Sequence, residues 1–277
     1  MRTNLLLLLF PITVFSQTAS EQIDSMLRAV EQFKTAKYEL HTQELINGEW
    51  VENISNVTYR KTPLAIYINY QKPHEGVEVL LKKGDEKALV NPNGFPYLNL
   101  RLDPYGYLMR ADQHHTVFES GLDYFISLIK NVKDRIDKEA PGEADNYLSY
   151  LGKHKKEKTT YHHIQIENPD FKHQKHIVKE GEDLVTIARK NHLNERYILE
   201  KNKLNFYDEV VVGEEITIPN SFAQKVELWI DAETHLPLIQ KIYINNALYE
   251  QYEFKKMQSN IPIPESEFTA DFEGYGF

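Results

Sequence analysis

The side chains able to do chemistry in this 277-residue sequence are 11 histidines, 41 aspartates and glutamates, and the hydroxyl residues; cysteine is missing altogether. Without cysteine there is no thiol nucleophile, no thiolate metal ligand and no disulfide. No Gly-x-Ser-x-Gly elbow is present, so no serine stands in the setting of an activated nucleophile. Glycan hydrolysis needs two carboxylates flanking one bond, and among 41 acids some pair can always be drawn, so that criterion selects nothing. The histidines include His114-His115 and His162-His163, with His154, His173 and His176 near the second pair. Neighbouring side chains on a strand point to opposite faces, so neither pair is expected to chelate one metal through both rings. His-Glu-x-x-His is absent as well, and these histidines are expected at the surface or in turns. The chemistry therefore predicts a binding protein and not an enzyme, with no catalytic residue, no metal and no cofactor.

The elements that would position a binding site can be read from periodicity. Thr18-Ala19-Ser20-Glu21 has the form of a capping box, and Ile23, Met26, Leu27, Val30 and Phe33 follow at helical spacing. From Tyr38 the period becomes two. Strands are predicted at 38–41, 56–60, 65–70, 77–81 and 87–90, separated by turn residues such as Asn47-Gly48, Pro63, Pro73 and Gly84-Asp85. Leu122, Phe125, Ile126, Ile129, Val132 and Ile136 predict a second helix, ended by Pro141-Gly142. Ala144, Tyr147, Leu148 and Leu151 suggest a third, shorter one, and the basic run 153–158 a solvated surface. Strands resume at 159–167, 224–230, 238–244 and 247–255.

Composition and address agree with an exported soluble chain. Hydrophobic residues make up 41% and charged residues 26%, ordinary for a globular protein. The net charge of -9 argues against duplex DNA or an anionic membrane surface as partner. Arg2, the apolar run 5–15 and the small residue Ser16 before Gln17 form an export signal cleaved near Ser16-Gln17, too short to span a bilayer. A periplasmic or otherwise exported location in the bacterial cell envelope follows, with no transmembrane anchor after cleavage.

Residues 176–219 carry the most specific pattern. A short strand at His176-Ile177-Val178 is followed by a turn at Gly181. A helix capped by Asp183 carries Leu184, Ile187 and Ala188, and a second, capped by Asn194, carries Ile198 and Leu199. Ile216-Thr217-Ile218-Pro219 closes the unit. With Leu193, Asn202, Leu204 and Gly213, this resembles a LysM domain, a small βααβ module that binds N-acetylglucosamine-containing glycans such as peptidoglycan. His176 stands where the family usually has Tyr, and Val212 where it has Pro. The resemblance implies a sugar groove between the turn before the first helix and the loop after the second. Mapped onto this chain, the groove is Gly181, Glu182, Asp183 and Leu184 opposite Asn202, Leu204, Asn205, Phe206 and Tyr207. Phe206 or Tyr207 would stack on a pyranose face. Leu184 and Leu204 fit a small core equally well, and Phe206 a contact with the rest of the chain.

The flanking sequence carries a second, shorter signature. Trp229-Ile230-Asp231, Thr234 and Leu236-Pro237 form a closing hairpin that, with the long first helix and the meander, is similar to the LolA-like group of periplasmic lipoprotein carriers and relatives. His235 replaces the usual Gly, and the ending 271–277 resembles an uncharacterised bacterial family of the same kind. The implied fold is α+β: a curved antiparallel half-barrel sheet with covering helices, plus the inserted LysM module. The expected organisation is a signal at 1–16, host domain at 17–175, insert at 176–220 and closing strands at 221–277. Peptidoglycan glycan strands are the expected partner and nucleic acid is not. The alternative is a carrier of lipid or lipoprotein acyl chains in the half-barrel concavity, with the insert as a docking lid.

Overall fold

The computed structural model describes residues 18–139, 141–205, 207 and 209–277, so the expected export signal and Phe206 lie outside the described residues. Helix α1 (Ala19–Gln32) begins on the capping box: the Thr18 hydroxyl accepts from the Glu21 N–H at 3.2 Å, and the Glu21 carboxylate accepts from the Thr18 N–H at 2.9 Å. Its apolar face, Ile23, Met26 and Val30, is buried in the main core.

Eleven strands make one antiparallel sheet. In chain order they are β1 (Thr35–Ile46), β2 (Glu49–Arg60), β3 (Ala65–Lys72), β4 (Glu78–Lys82), β5 (Ala88–Asn91), β6 (Leu100–Leu102), β7 (Leu148–Lys156) and β8 (Thr159–Glu167), then β11 (Lys225–Asp231), β12 (Pro237–Ile244) and β13 (Ala247–Ser259). The spatial order is β6-β5-β4-β3-β2-β1-β13-β12-β11-β8-β7. The edges β6 and β7 do not pair with each other, so the sheet is an unclosed half-barrel. Between its two halves in the chain lie α2 (Tyr107–Arg110) and α3 (Leu122–Glu139). The α3 residues Leu122, Phe125, Ile126 and Ile129 share one core with α1 and the inward faces of the strands.

The meander and the helix 122–139 follow the sequence reading, with β1 and β2 longer than predicted because they zip together down to the Asn47-Gly48 turn. The third helix is a correction. Ala144–Asn146 is one turn of 3-10 helix, and the chain then becomes β7, with Leu148 opposite Ile166 and Tyr150 opposite Ile164. Leu148 and Tyr150 satisfy a period of two as well as a helical spacing, and pairing with the edge of β8 decides between them. The Asp231 side chain explains the hairpin signature. Its Oδ1 accepts from the N–H groups of Glu233 at 3.0 Å and Thr234 at 2.6 Å and from the Thr234 hydroxyl at 2.9 Å, while His235 takes the left-handed conformation (φ 57°).

The chain leaves the sheet after β8 and returns as its neighbour β11. What lies between is β9 (His173–Ile177), α4 (Leu184–Asn191), α5 (Glu195–Lys201) and β10 (Glu215–Pro219), with β9 and β10 paired in a separate two-stranded sheet. Val178, Leu184, Ile187, Leu193, Ile198, Ile216 and Ile218 form its own small core. This unit is clamped to the half-barrel through α5. Arg110 on α2, 1% exposed, pairs with Glu195 and lies over the Tyr207 ring at 3.7 Å. Tyr197 packs against Tyr249 and Ile244, Asn194 donates to Glu250 at 3.3 Å, and the Glu200 carboxylate accepts from the Asn47 N–H at 3.0 Å.

Removing one partner of a buried ion pair strands the other charge, whereas removing both does not. Arg110→Met is therefore expected to lower the unfolding free energy by about 3–5 kcal/mol, and adding Glu195→Leu to restore most of it. Urea unfolding of the single and double variants checks this; equal losses in both would contradict it.

Candidate functional site

Two places concentrate polar groups: a cleft between the 173–219 unit and the half-barrel, and a buried cluster directly beneath their junction. The cleft has a volume of about 720 Å³. One wall is Asp183, Val185, Leu204, Asn205 and Tyr207; the other is the host segment 103–111, with Asp103, Tyr105, Tyr107 and Arg110. Tyr105 is held by its stack on Phe118 at 5.6 Å and by Arg189, which donates to its hydroxyl at 2.8 Å. Tyr107 is 64% exposed at the rim.

Of the sugar-groove residues expected from sequence, Asp183, Leu204, Asn205 and Tyr207 line this cleft. Gly181, Glu182, Leu184 and Asn202 are engaged elsewhere. Gly181 makes the turn at φ 77°. Glu182 accepts from His176 at 2.8 Å and from the Lys179 N–H at 3.0 Å, and the His176 bond is the main reason its pKa is lowered to about 2. Leu184 is fully buried, and its N–H donates to the Tyr207 carbonyl at 3.0 Å, tying the two loops together. Asn202 binds across to β10, donating to the Thr217 carbonyl at 2.8 Å and accepting from its N–H at 2.7 Å. Asp183 also caps α4, accepting from the Thr186 N–H at 2.6 Å.

The second cluster was not anticipated. Glu44 on β1 and Glu250 on β13 are 2% and 0% exposed and face each other directly in the strand register. Two carboxylates so placed repel, and the segment between α2 and α3 supplies the compensation. His114, fully buried, sets Nδ1 at 2.6 Å from Glu250 Oε2 and Nε2 at 3.0 Å from the Leu45 carbonyl, while its N–H donates to Glu44 at 3.1 Å. Both ring nitrogens face oxygen acceptors, an arrangement that the doubly protonated imidazolium satisfies. His115 sits between Glu250 (3.4 Å from Nε2) and Glu119 (3.5 Å from Nδ1). Tyr252 donates to Glu44.

The expectation of surface or turn histidines therefore fails at His162, 3% exposed on β8, and at His114 of the His114-His115 pair. The pair is not on a strand, so both rings reach one carboxylate. The partners lie 70 and 136 residues away in sequence. A signal existed: the inward alternation of β1 through Tyr38 and Leu40 continues to Thr42 and Glu44, and that of β13 through Phe254 and Tyr252 reaches Glu250.

Residues 33–186, more than half of the chain, match the family described as "Protein of unknown function (DUF1571)", and residues 176–219 match the LysM domain. No curated protein matches the chain. Solved structures with a similar course include the lipoprotein LppX of Mycobacterium tuberculosis, 12% identical with a TM-score of 0.42, covering 89% of this chain and 97% of that one. LprF from Mycobacterium bovis is 10% identical with a TM-score of 0.42, covering 89% and 95%. A LolA superfamily protein from Nitrosomonas europaea is 11% identical with a TM-score of 0.33, covering 93% and 100%.

The buried cluster makes stability depend on pH. Burial disfavours charge on His114, but the Glu44 charge and the Glu250 hydrogen bond outweigh it and raise its pKa; Glu250 and Glu119 do the same for His115. Burial likewise opposes the Glu250 carboxylate, and the two histidines overcome it and lower its pKa. The histidine contribution is complete below the ordinary imidazole value of about 6.5 and is lost as pH rises through the raised folded values. The Glu250 contribution is present above its ordinary value of 4.5 and lost as pH falls through the depressed one. Unfolding free energy is thus expected to fall as pH rises above about 6.5, and His114→Gln to flatten that slope. Denaturant titrations across this range check it, and an unchanged slope in the variant would count against the charged pair.

Proposed function

Starting from a chain that belongs to the DUF1571 family and carries a LysM domain in the same polypeptide, we propose that it is a non-enzymatic, exported cell-envelope protein that binds N-acetylglucosamine-containing glycan such as peptidoglycan. The cleft of about 720 Å³ between the LysM loops and the host segment 103–111 carries this reading. Its volume falls in the range of about 300–1,000 Å³ usual for small-ligand sites. Leu204 and Val185 offer an apolar floor, Asn205 and Asp103 offer polar groups, and Tyr107 offers a ring at the rim. Amphipathic sugars are matched by that mixture. A net charge of -9 is no obstacle to the uncharged face of a glycan, and it disfavours nucleic acid. The glycan would touch both the LysM unit and its host, so binding would hold the half-barrel against the wall.

A second reading, a carrier of lipid or lipoprotein acyl chains, draws on one observation. A cavity of about 270 Å³ is lined by Tyr70, Val77, Val79, Leu100 and Met109, and Leu108, 73% exposed, stands at its rim. Its smaller volume, and the packing of α1 and α3 into one core with the strands, favour the first reading over this one.

Cosedimentation of the full chain with purified peptidoglycan tests the first reading. The chain is expected to pellet, and Asn205→Ala and Tyr107→Ala are each expected to weaken binding about tenfold, the equivalent of one lost hydrogen bond or stacking contact. A wild type that stays in the supernatant, or variants that pellet unchanged, would reject the cleft. Mass spectrometry of lipid released on denaturation tests the second, and a lipid-free protein counts against it.

A further inference from the structure

The Glu44, His115 and Glu250 cluster holds more ligand chemistry than charge compensation needs. One donor atom from each lies within 4.8 Å of the others. Glu250 Oε2 is crowded by His114, His115, Asn194 and Tyr252, yet its Oε1, fully buried, has no hydrogen-bond partner among the described residues. A buried carboxylate oxygen left without a partner is costly. Thr42 and Thr116, 8% and 2% exposed, are in the same position: their hydroxyls have no partner, and both line a cavity of about 60 Å³ together with Glu44, His115 and Tyr252. A partnerless carboxylate oxygen within the cluster, with two partnerless hydroxyls on the small cavity beside it, points to a ligand that supplies positive charge.

We infer that Glu44, His115 and Glu250 form a binding site for a single divalent transition-metal ion between β1, β13 and the segment that leads from α2 to α3. The imidazole nitrogen facing Glu250 is Nε2, and Nδ1 faces the Glu119 carboxylate. That carboxylate–histidine order is the arrangement that orients metal-binding imidazoles. Glu119 is itself fixed, accepting from the Thr116 N–H at 2.9 Å. The two carboxylates are aimed by His114, which contacts both. Ligands bound at about 2.1 Å stand at most about 4.2 Å apart, so the present span needs a contraction of about half an ångström. One imidazole and two carboxylates suit zinc, manganese or iron more than a soft-ligand metal, and three protein ligands leave room for water or one of the threonine hydroxyls. The ion would neutralise the opposed carboxylates and bind β1 to β13 beside the LysM contact.

The test uses the full chain stripped with chelator and titrated with Zn2+ alone, by calorimetry and elemental analysis. One ion per chain is expected, with His115→Ala lowering the affinity about tenfold or more. Binding that survives His115→Ala but is lost in His154→Ala or His163→Ala would assign the metal to the outer face of the sheet and overturn the site. No stoichiometric uptake at micromolar Zn2+ would overturn it too. Should His115→Ala fail to fold by circular dichroism, X-ray absorption of the wild-type zinc complex decides. A single imidazole among oxygen ligands supports the site, and none or several reject it.

Discussion

Glu44 and Glu250 stand opposite each other on adjacent central strands, both buried, and much of the molecule is arranged around that opposition. At close range in a medium of reduced dielectric, two like charges repel by several kcal/mol unless opposite charge lies between or beside them. The segment 111–116, between α2 and the 3-10 turn Val117–Glu119 that precedes α3, meets this need by inserting His114 and His115. Asn194 at the head of α5 adds a donor to Glu250. The LysM unit is thereby tied to the same charges that fix the host strands, and Arg110 and Glu195 add a second buried pair a few residues away.

That coupling changes what a LysM domain can do here. Its two ends belong to β8 and β11, which pair side by side, so the unit is held at its base by the sheet. Its second helix, α5, is held at its head by Arg110, Tyr249 and Glu250. Motion of the unit away from the host would break the Arg110–Glu195 pair and expose the packed faces of Tyr197 and Tyr249 to water. The face that lines the cleft is correspondingly fixed relative to the host segment 103–111.

Most of the fold was legible because the residues that define it interact locally. The capping box at Thr18, the alternation of the strands and the stripe of Leu122 to Ile136 each depend on neighbours within a turn or a hairpin. The LysM pattern was legible for the same reason: Asp183 and Asn194 cap helices three residues away. The segment 144–151 was misread because its apolar residues satisfy both periods, and the choice rests on β8, which follows it in the chain. The buried cluster was hidden for a stronger reason. A glutamate in a strand and a His-His pair look solvated when taken alone, and their meaning arises only when β1 pairs with β13 and the segment 111–116 folds over both.

The groove residues divide along the same line. Leu184, Asn202 and Glu182 are used within the LysM unit itself, by burial, by the bonds to Thr217 and by the bond to His176. Asp183, Leu204, Asn205 and Tyr207 remain turned toward the cleft, where the host supplies the facing wall. A motif read in isolation assigns the whole groove to the module. The packing around Arg110, whose guanidinium covers Tyr207, would make recognition under the proposed reading a property of two surfaces at once. On that proposal, specificity would depend on host residues such as Tyr105 and Tyr107 as much as on the LysM loops, because a ligand between two walls must satisfy the polar groups of both.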